Sequence, residues 1–177
     1  MKKILLGVTG SIAAYKAVEI ANILIKSGAA VKVIMTRSAE EFVAPLTFQT
    51  ITKHRVYTEM FESAAYEDVR HISLAQEADV LLIAPATANI IAKLACGIAD
   101  DMLTTVALAV QAPIVICPAM NTAMYENAVT RNNIKKLESL GCIFVEPRES
   151  LLACGDLGKG AMADIDTIIS KVNETTV

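Results

Sequence analysis

A turn rich in glycine and hydroxyl groups lies near the start of the chain. Gly7, Thr9, Gly10 and Ser11 follow an apolar run and precede a stretch with helical periodicity. Glycine lets the backbone approach a ligand closely, and the N–H groups at a helix start, together with Ser11, attract a phosphate. The GxGxxG fingerprint of dinucleotide sites is missing here. The turn predicts a phosphate site, with an ordinary tight turn as the alternative.

Two later segments carry groups that could complete such a site. Thr36 and Ser38 offer two hydroxyls to the same phosphate, although both residue types are also common helix caps. In residues 84–89 (APATAN), small side chains leave room for a flat ring, and Thr87 and Asn89 supply donors and acceptors. The alternative there is a capped helix without a ligand. Together, the three loops predict a mononucleotide with a heteroaromatic ring at one end.

The elements that must position these loops alternate between strand and helix. A helix is predicted to start at Ser11 and to end at Gly28, and the stretch 45–70 is predicted only as a short helix and an edge strand near 55–58. The other strands are predicted at 3–8, 31–35, 78–84, 114–117 and 142–145, and the other helices at 88–95, 103–109, 127–140 and 164–172. This alternation predicts one α/β domain over residues 1–177, a three-layer α/β/α sandwich with a Rossmann-like or flavodoxin-like, mainly parallel sheet. Ligands bind beyond the carboxyl ends of such strands, here in the loops 9–13, 36–40, 85–89, 118–126 and 146–162.

Composition narrows the function classes. Of the 177 residues, 54% are hydrophobic and 20% are charged, which excludes a disordered chain and fits a single core. The net charge is −3 and no long basic cluster occurs, so nucleic acid is not expected as a partner. With 5% aromatic residues and no Trp, stacking on bases is also disfavoured.

The cysteines and histidines give no metal-site pattern. The four cysteines show no CxxC spacing, and free thiols of a cytosolic protein are favoured over disulfides or zinc. Cys96, Cys117 and Cys142 are interpreted as buried packing residues. His54 and His71 lack ligand-spaced neighbours, so no metal is expected.

Two segments resemble membrane sequences. The first residues combine a basic pair with a short apolar run, but the glycine-rich turn interrupts that run, which disfavours a signal peptide. Residues 102–125 are uncharged over a length that could span a bilayer, yet they contain Gln111, Pro113, Pro118 and Asn121. A helix, a turn and a buried strand are predicted there. We therefore expect a cytoplasmic protein without a membrane segment.

Three motifs together resemble the flavin-dependent cysteine decarboxylases. Residues 118–125 (PAMNTAMY) resemble the PxMNxxMW motif of that family, with Tyr125 where Trp is usual. Residues 153–156 (ACGD), followed by 158–160 (GKG), resemble the substrate clamp of the phosphopantothenoylcysteine decarboxylases within it. His71 matches their active-site histidine. The resemblance extends over almost the whole chain.

The resemblance implies an FMN-dependent lyase of coenzyme A biosynthesis. Such enzymes convert 4′-phosphopantothenoylcysteine to 4′-phosphopantetheine and CO2, and FMN serves as the electron sink by accepting hydride from the carbon bearing sulfur. His71 would act as a base or orient the substrate, Asn121 would bind the substrate carboxylate, and Cys154 would donate a proton from a glycine-rich flap. The expected cofactor contacts are Gly10, Ser11, Ile12, Thr36, Ser38, Pro85, Thr87 and Asn89. The expected substrate contacts are Met120, Asn121, Met124, Ala153, Cys154, Gly155 and Lys159, with Lys159 at the substrate phosphate.

Relatives with the same fold leave alternatives open. A decarboxylase of peptides ending in cysteine would share His71 and the PxMN motif but need a different clamp. A non-catalytic regulatory homologue would often lack catalytic residues, whereas His71, Asn121 and Cys154 are all present. The resemblance also implies a homo-oligomer, a trimer or a dodecamer. If the sequence is complete, the phosphopantothenate–cysteine ligase that makes the substrate is expected to be a separate protein.

Overall fold

The computed structural model describes residues 1–61, 70–151 and 157–175. Its strands are β1 (Lys3–Val8), β2 (Ala30–Met35), β3 (Val56–Tyr57), β4 (Val80–Ala86), β5 (Ile114–Pro118), β6 (Ile143–Phe144), β7 (Arg148–Leu151) and β8 (Leu157–Ala161). Its helices are α1 (Ala14–Lys26), α2 (Arg37–Glu40), α3 (Pro45–Thr52), α4 (Arg70–Glu77), α5 (Ala88–Cys96), α6 (Met102–Ala109), α7 (Thr122–Glu126), α8 (Ala128–Ser139) and α9 (Ile165–Thr175).

The central sheet is parallel. Within the described residues it has six strands in the order β3-β2-β1-β4-β5-β6. This is the Rossmann order, and without the two-residue edge strand β3 it becomes the flavodoxin order. The predicted fold class is therefore confirmed. Chain connections change direction between β1 and β4, which is where open sheets of this kind bind ligands.

Helices cover both faces of the sheet. Ile4, Leu6 and Val8 of β1 belong to one apolar cluster together with α1, α3 and α9. Leu5, between them, belongs to a second cluster with α4, α5, α6 and α8. Alternate side chains of one strand thus enter opposite layers, because successive side chains of a strand point to opposite faces. This explains why β1 is a continuous apolar run.

The predicted start of the first helix is wrong. Ser11 was expected to cap it, but α1 begins at Ala14 and its N-cap is Ala13, which has no side-chain oxygen. The Ser11 hydroxyl instead accepts a hydrogen bond from the Ala13 N–H within the turn, at 3.3 Å. The first turn of α1 consequently has no side-chain cap.

The uncharged stretch 102–125 forms α6 and β5, as predicted, and the predicted loop 118–126 contains the short helix α7. Within the described part of the chain, none of the helices combines the length and apolarity that crossing a bilayer requires. Cys117 is buried in β5 and Cys142 is half-buried. Cys96 is exposed, so its interpretation as a buried residue is wrong: it is the last residue of α5, where the chain leaves the core.

Other differences from the predicted elements lie near strand ends. The predicted strand 78–84 is displaced, because β4 runs from Val80 to Ala86. The stretch 45–70 contains the expected short helix, α3, and edge strand, β3, and α4 begins at its end. The predicted loop 146–162 contains β7 and β8, which pair antiparallel as a separate two-stranded sheet.

Candidate functional site

The turn after β1 is tied to the end of β4 by one side chain. Thr9 is buried, and its hydroxyl donates to the Pro85 carbonyl at 2.7 Å. The same oxygen accepts from the Thr87 N–H at 3.1 Å. Thr9 thus holds together the two strand ends between which the connections change direction. The turn then leads to the start of α1, which has no side-chain cap and whose positive dipole end favours an anion.

The end of β2 reaches the same turn. A Cβ atom at Gly10 would collide with the Cβ of Ser38, so glycine is required for the two loops to meet. The Thr36 hydroxyl is buried and has no hydrogen-bond partner among the described residues. A buried hydroxyl without a partner is costly unless a ligand satisfies it. These groups fit the phosphate of the FMN that the sequence resemblance implies.

At the end of β4, only some of the residues predicted to contact the cofactor lie in the candidate site. The Thr87 hydroxyl caps α5 by accepting from the Ile90 N–H at 3.3 Å, and its contact with a ligand stays a prediction. Thr87 also lines the cleft described below. Pro85 is buried and Asn89 is exposed, and neither belongs to the lining.

The Asn121 segment forms the opposite side of the site. Asn121 is the N-cap of α7, and its Oδ1 accepts from the Ala123 N–H at 2.8 Å. Directly before it, the Met120 N–H donates to the Gly160 carbonyl of β8 at 3.0 Å. The cap orients the Asn121 amide, and the contact with β8 fixes the backbone that carries it.

One cleft of about 530 Å³ joins these groups. Predicted residues in its lining are Gly10, Ser11, Ile12, Thr87, Met120, Asn121 and Met124. The charged side chains among its described lining residues are Lys16 and Arg148, both cationic. Arg148 pairs through Nε with Asp164 at 3.2 Å. The lining suits a ligand with anionic groups.

A larger depression of about 950 Å³ lies elsewhere, at the amino ends of the strands. Met1, Asp79 and Pro113 are among its lining residues, and none of the predicted site residues is. Since ligands of such sheets bind at the carboxyl ends of the strands, we assign function to the smaller cleft.

A charged cluster lies where α7 and β8 meet. Glu146 Oε2 accepts from the Tyr125 hydroxyl at 3.0 Å and from Lys159 Nζ at 2.6 Å. The Arg131 guanidinium lies 5.0 Å from the centre of the Tyr125 ring. The Lys159 hydrogen bond lowers the pKa of Glu146, whereas burial, with the Glu146 hydrogen bond second, raises the pKa of Tyr125 to about 12.

Several predicted site residues lie outside the described cleft lining. Thr36 and Ser38 lie at the end of β2, next to the Gly10 turn. His71 is half-buried on α4. Lys159 is paired with Glu146, and its expected contact with a substrate phosphate stays a prediction. Ala153, Cys154 and Gly155 lie outside the described residues.

Sequence reasoning missed Thr9, Lys16 and Arg148. Thr9 lies inside the predicted phosphate turn, and a hydroxyl directly after a buried strand is the signal that could have identified it. Lys16 lies in the first turn of α1, which faces the cleft, and a lysine on a helix surface is by itself no signal of a site. Arg148 lies in the predicted loop 146–162, where an isolated cation is a weak signal.

Comparison with known proteins gives one family. The whole chain, residues 1–177, matches the flavoprotein family. A Streptococcus mutans protein named probable phosphopantothenoylcysteine decarboxylase is 49% identical over 175 residues, which cover 98% of this chain and 98% of that protein. The Bacillus subtilis coenzyme A biosynthesis bifunctional protein CoaBC is 49% identical over 95% of this chain. The match covers 41% of the length of that bifunctional relative.

Solved structures show the same likeness. A PPC decarboxylase variant complexed with pantothenoylaminoethenethiol has a TM-score of 0.89 and 33% identity, covering 98% of this chain and 97% of that one. The FMN-dependent cysteine decarboxylase SpaF has a TM-score of 0.86 and 31% identity, covering 100% of this chain and 98% of that one.

Proposed function

The chain belongs to the flavoprotein family, and on that premise we propose that it is an FMN-dependent phosphopantothenoylcysteine decarboxylase. This lyase of coenzyme A biosynthesis converts 4′-phosphopantothenoylcysteine to 4′-phosphopantetheine and CO2. The observation that carries the proposal is the single cleft in which the Gly10–Ser11 turn faces the Asn121 segment. The names of the full-length relative and of the solved complex support the choice of substrate.

FMN, when bound, supplies the electron sink that decarboxylation of an unactivated carboxylate requires. Gly10 and Ser11 bind its phosphate with the N–H groups at the start of α1, and Thr36 and Ser38 add hydroxyls from the end of β2. The Thr36 hydroxyl gains the partner that it otherwise lacks among the described residues. The remaining proposed contacts of the cofactor are Ile12, Pro85, Thr87 and Asn89.

Asn121 binds the substrate carboxylate. Its Oδ1 caps α7, so its Nδ2 is the atom that donates to the carboxylate. An uncharged donor suits this role, because a cation would stabilise the carboxylate more than the departing CO2. Met120 and Met124 form an apolar wall beside it that keeps water from the reacting carbon.

His71 orients the substrate or accepts a proton, and Cys154 donates a proton to the product. The other proposed substrate contacts are Ala153, Gly155 and Lys159. His71 lies outside the described cleft lining of a single chain, so its proposed role requires a second copy to complete the site. We therefore propose a homo-oligomer, a trimer or a multiple of three.

The cations in the cleft favour a phosphorylated substrate over a peptide ending in cysteine. Lys16 and Arg148 line the cleft without an acidic residue among its described lining. Both flavin and phosphopantothenoylcysteine carry a phosphate, whereas a peptide substrate would bring only its carboxylate for these side chains. Arg148 also pairs with Asp164, so Lys16 contributes most to the attraction of a phosphate.

We also propose that a separate phosphopantothenate–cysteine ligase supplies the substrate in the cytoplasm. The relative that this chain covers over 98% of its length is named as a decarboxylase alone. Bifunctional relatives such as CoaBC are more than twice as long as the region that matches.

The test compares two substrates on the purified protein. We expect an oxidised flavin spectrum and release of 4′-phosphopantetheine from 4′-phosphopantothenoylcysteine, followed by mass spectrometry. A peptide ending in cysteine, assayed in parallel, should remain intact. Turnover of the peptide alone would replace the proposed substrate, and bound flavin without turnover of either compound would support a non-catalytic homologue.

A further inference from the structure

Helix α7, which Asn121 caps, is too short to hold its own orientation. It has five residues, and isolated helices of that length are unstable because nucleation is costly. Its buried anchor is Tyr125, whose side chain is 3% exposed. The Tyr125 N–H donates to the Asn121 carbonyl at 3.0 Å, so the anchor and the cap belong to the same helical turn. Whatever fixes Tyr125 therefore also fixes Asn121.

Glu146 fixes Tyr125 from outside the helix. Its Oε2 accepts from the Tyr125 hydroxyl at 3.0 Å and from Lys159 of β8 at 2.6 Å. One carboxylate oxygen thus joins α7 to β8. A second attachment lies one residue further along β8, where the Gly160 carbonyl accepts from the Met120 N–H at 3.0 Å. Strand β8 therefore holds both ends of the segment 120–125.

Gly160 makes this close approach possible. A Cβ atom at Gly160 would collide with the Met120 carbonyl oxygen, which is backbone and cannot rotate away. At Gly158 the collision would be with the Thr122 side chain instead. The two glycines of β8 thus let the strand lie directly on the Asn121 segment.

The charges around Glu146 keep it ionised. The groups that face it are Lys159 on β8, Tyr125 on α7 and Arg131 on α8. Lys159 lowers the pKa of Glu146 most, and Arg131 adds a smaller effect in the same direction. Tyr125 keeps its proton because burial raises its pKa to about 12. The hydroxyl consequently stays a donor and the carboxylate stays an acceptor over the ordinary pH range.

We propose that Glu146 is a positioning residue, which acts through Tyr125 and Lys159 to hold Asn121 at the angle that its contact with the substrate carboxylate requires. This rests on the proposed function. It also gives a reason for the departure at position 125. Tyr125 stands where the family motif has Trp, and both side chains carry a hydrogen-bond donor on an aromatic ring.

The test measures kinetics of the FMN-loaded protein and hydrogen exchange of residues 120–126. In Glu146→Ala we expect kcat to fall about tenfold with KM within twofold of wild type, because Asn121 is misaligned but not lost. Lys159→Met should lower kcat to a similar degree and also raise KM, since Lys159 is in addition a proposed substrate contact. The double variant should lose no more than either single variant, since both act on one path. Tyr125→Phe, which removes the hydroxyl, should lower kcat as Glu146→Ala does. Tyr125→Trp, which keeps a hydrogen-bond donor, should lower kcat much less than Tyr125→Phe. Exchange of residues 120–126 should become faster in all the impaired variants.

The matched control is the surface pair Lys171–Glu174, with a similar length of 2.7 Å and similar exposure. Glu174→Ala should leave kcat and exchange unchanged. Wild-type kcat in Glu146→Ala, or additive losses in the double variant, would overturn the proposed role while leaving the decarboxylase proposal intact. If the wild-type protein turns over neither substrate, the decarboxylase proposal fails. Unchanged hydrogen exchange of residues 120–126 in Glu146→Ala overturns the positioning role of Glu146, whatever the activity.

Discussion

Two threonine hydroxyls at the same end of the sheet have opposite environments. Thr9 uses its hydroxyl fully, as donor to Pro85 and acceptor from Thr87. Thr36 has a buried hydroxyl without a partner among the described residues. The first arrangement stabilises the fold itself, and the second costs free energy until a ligand arrives. Substitution to valine, which has the same shape, separates the two roles.

Thr9→Val should destabilise the protein in the absence of flavin. It leaves the Pro85 carbonyl and the Thr87 N–H without their buried partner, which costs about 1–3 kcal/mol. Urea unfolding of the flavin-free protein measures this. The control is Thr50→Val, which removes an exposed hydroxyl bonded to the Leu46 carbonyl and should change stability by less than about 0.5 kcal/mol. Equal effects of the two substitutions would contradict the bridging role of Thr9.

Thr36→Val should weaken flavin binding without destabilising the flavin-free protein. The lost hydrogen bond to a phosphate is worth about 1.5–3 kcal/mol, which raises the Kd for FMN by roughly tenfold or more. Quenching of flavin fluorescence on binding measures the Kd. A loss of unfolding free energy in Thr36→Val, at unchanged FMN affinity, would show that the hydroxyl has a structural partner instead.

At the scale of elements, the local sequence pattern predicts the strands and helices whose buried faces form the core. Strand β1 was predicted at its observed bounds because both its faces are buried, and the helix that follows β1 was recognised from its apolar face. Strand β4 extends beyond its prediction because Ala86 at its end pairs with Pro118 of β5 after a shift in register. The hairpin of β7 and β8 was missed because its glycines pack on the Asn121 segment, a tertiary contact that local sequence does not encode.

The candidate site, like the fold, could be predicted only in part from the sequence. Gly10, Ser11 and Asn121 follow strands and could be placed from the chain order alone. Lys16 and Arg148 could not, since their place in the cleft depends on how α1 and β7 face each other. The position of His71 relative to the cleft likewise depends on packing of α4, a helix that was not predicted from the sequence.

The contact of β8 with the Asn121 segment predicts unequal effects at its two glycines. Gly160→Ala should lower Tm and kcat strongly, because the new methyl group meets backbone at Met120. Gly158→Ala should be milder, since it meets the Thr122 side chain, and Thr122→Ala in the same chain should restore it. Calorimetry and steady-state kinetics on the three variants provide the comparison. A Gly158→Ala variant as impaired as Gly160→Ala would argue against direct backbone packing.

Because Cys117 is buried in β5, we expect the stability of the protein to depend on pH. Burial raises the pKa of the Cys117 thiol, so it stays protonated in the folded protein while an unfolded thiol ionises above about pH 8.5. The contribution of this buried thiol to the free energy of unfolding is present in full below that pH. It is lost as the pH rises, by about 2 kcal/mol between pH 8 and pH 10. Cys117→Ala should show a smaller decline in unfolding free energy over this range. The exposed Cys96→Ala serves as control, and a decline unaltered in Cys117→Ala would exclude this source.

At the scale of the whole molecule, the mouth of the cleft is unusually apolar for a free surface. Ile12 is 59% exposed, Tyr15 is 61% exposed and Met124 is 50% exposed, and all three line the cleft. Covering them would stabilise an assembly by removing apolar area from water. The same surface would then surround the flavin, which fits the proposed completion of the site by a second copy.

Light scattering after size-exclusion chromatography should give a mass that is a multiple of three times the 18.9 kDa of the chain. Tyr15→Glu should shift the mass towards that of the single chain, because burial of a new charge at the interface is costly. Flavin content should fall in parallel. Asn132→Glu, which introduces the same charge on an exposed position of α8 outside the described cleft lining, is the control. A monomeric wild type would contradict the proposed assembly.

The hairpin of β7 and β8 shares no strand with the central sheet. Its residues can therefore diverge without disturbing the hydrogen-bond ladder that carries the turn after β1, provided the contacts of Gly160 and Lys159 are kept. The turn proposed to bind the cofactor and the hairpin on the proposed substrate side of the cleft thus belong to different sheets. Grafting a hairpin from a relative that acts on another cysteine-terminated compound is thus a rational route to a decarboxylase with new specificity on an unchanged flavin scaffold.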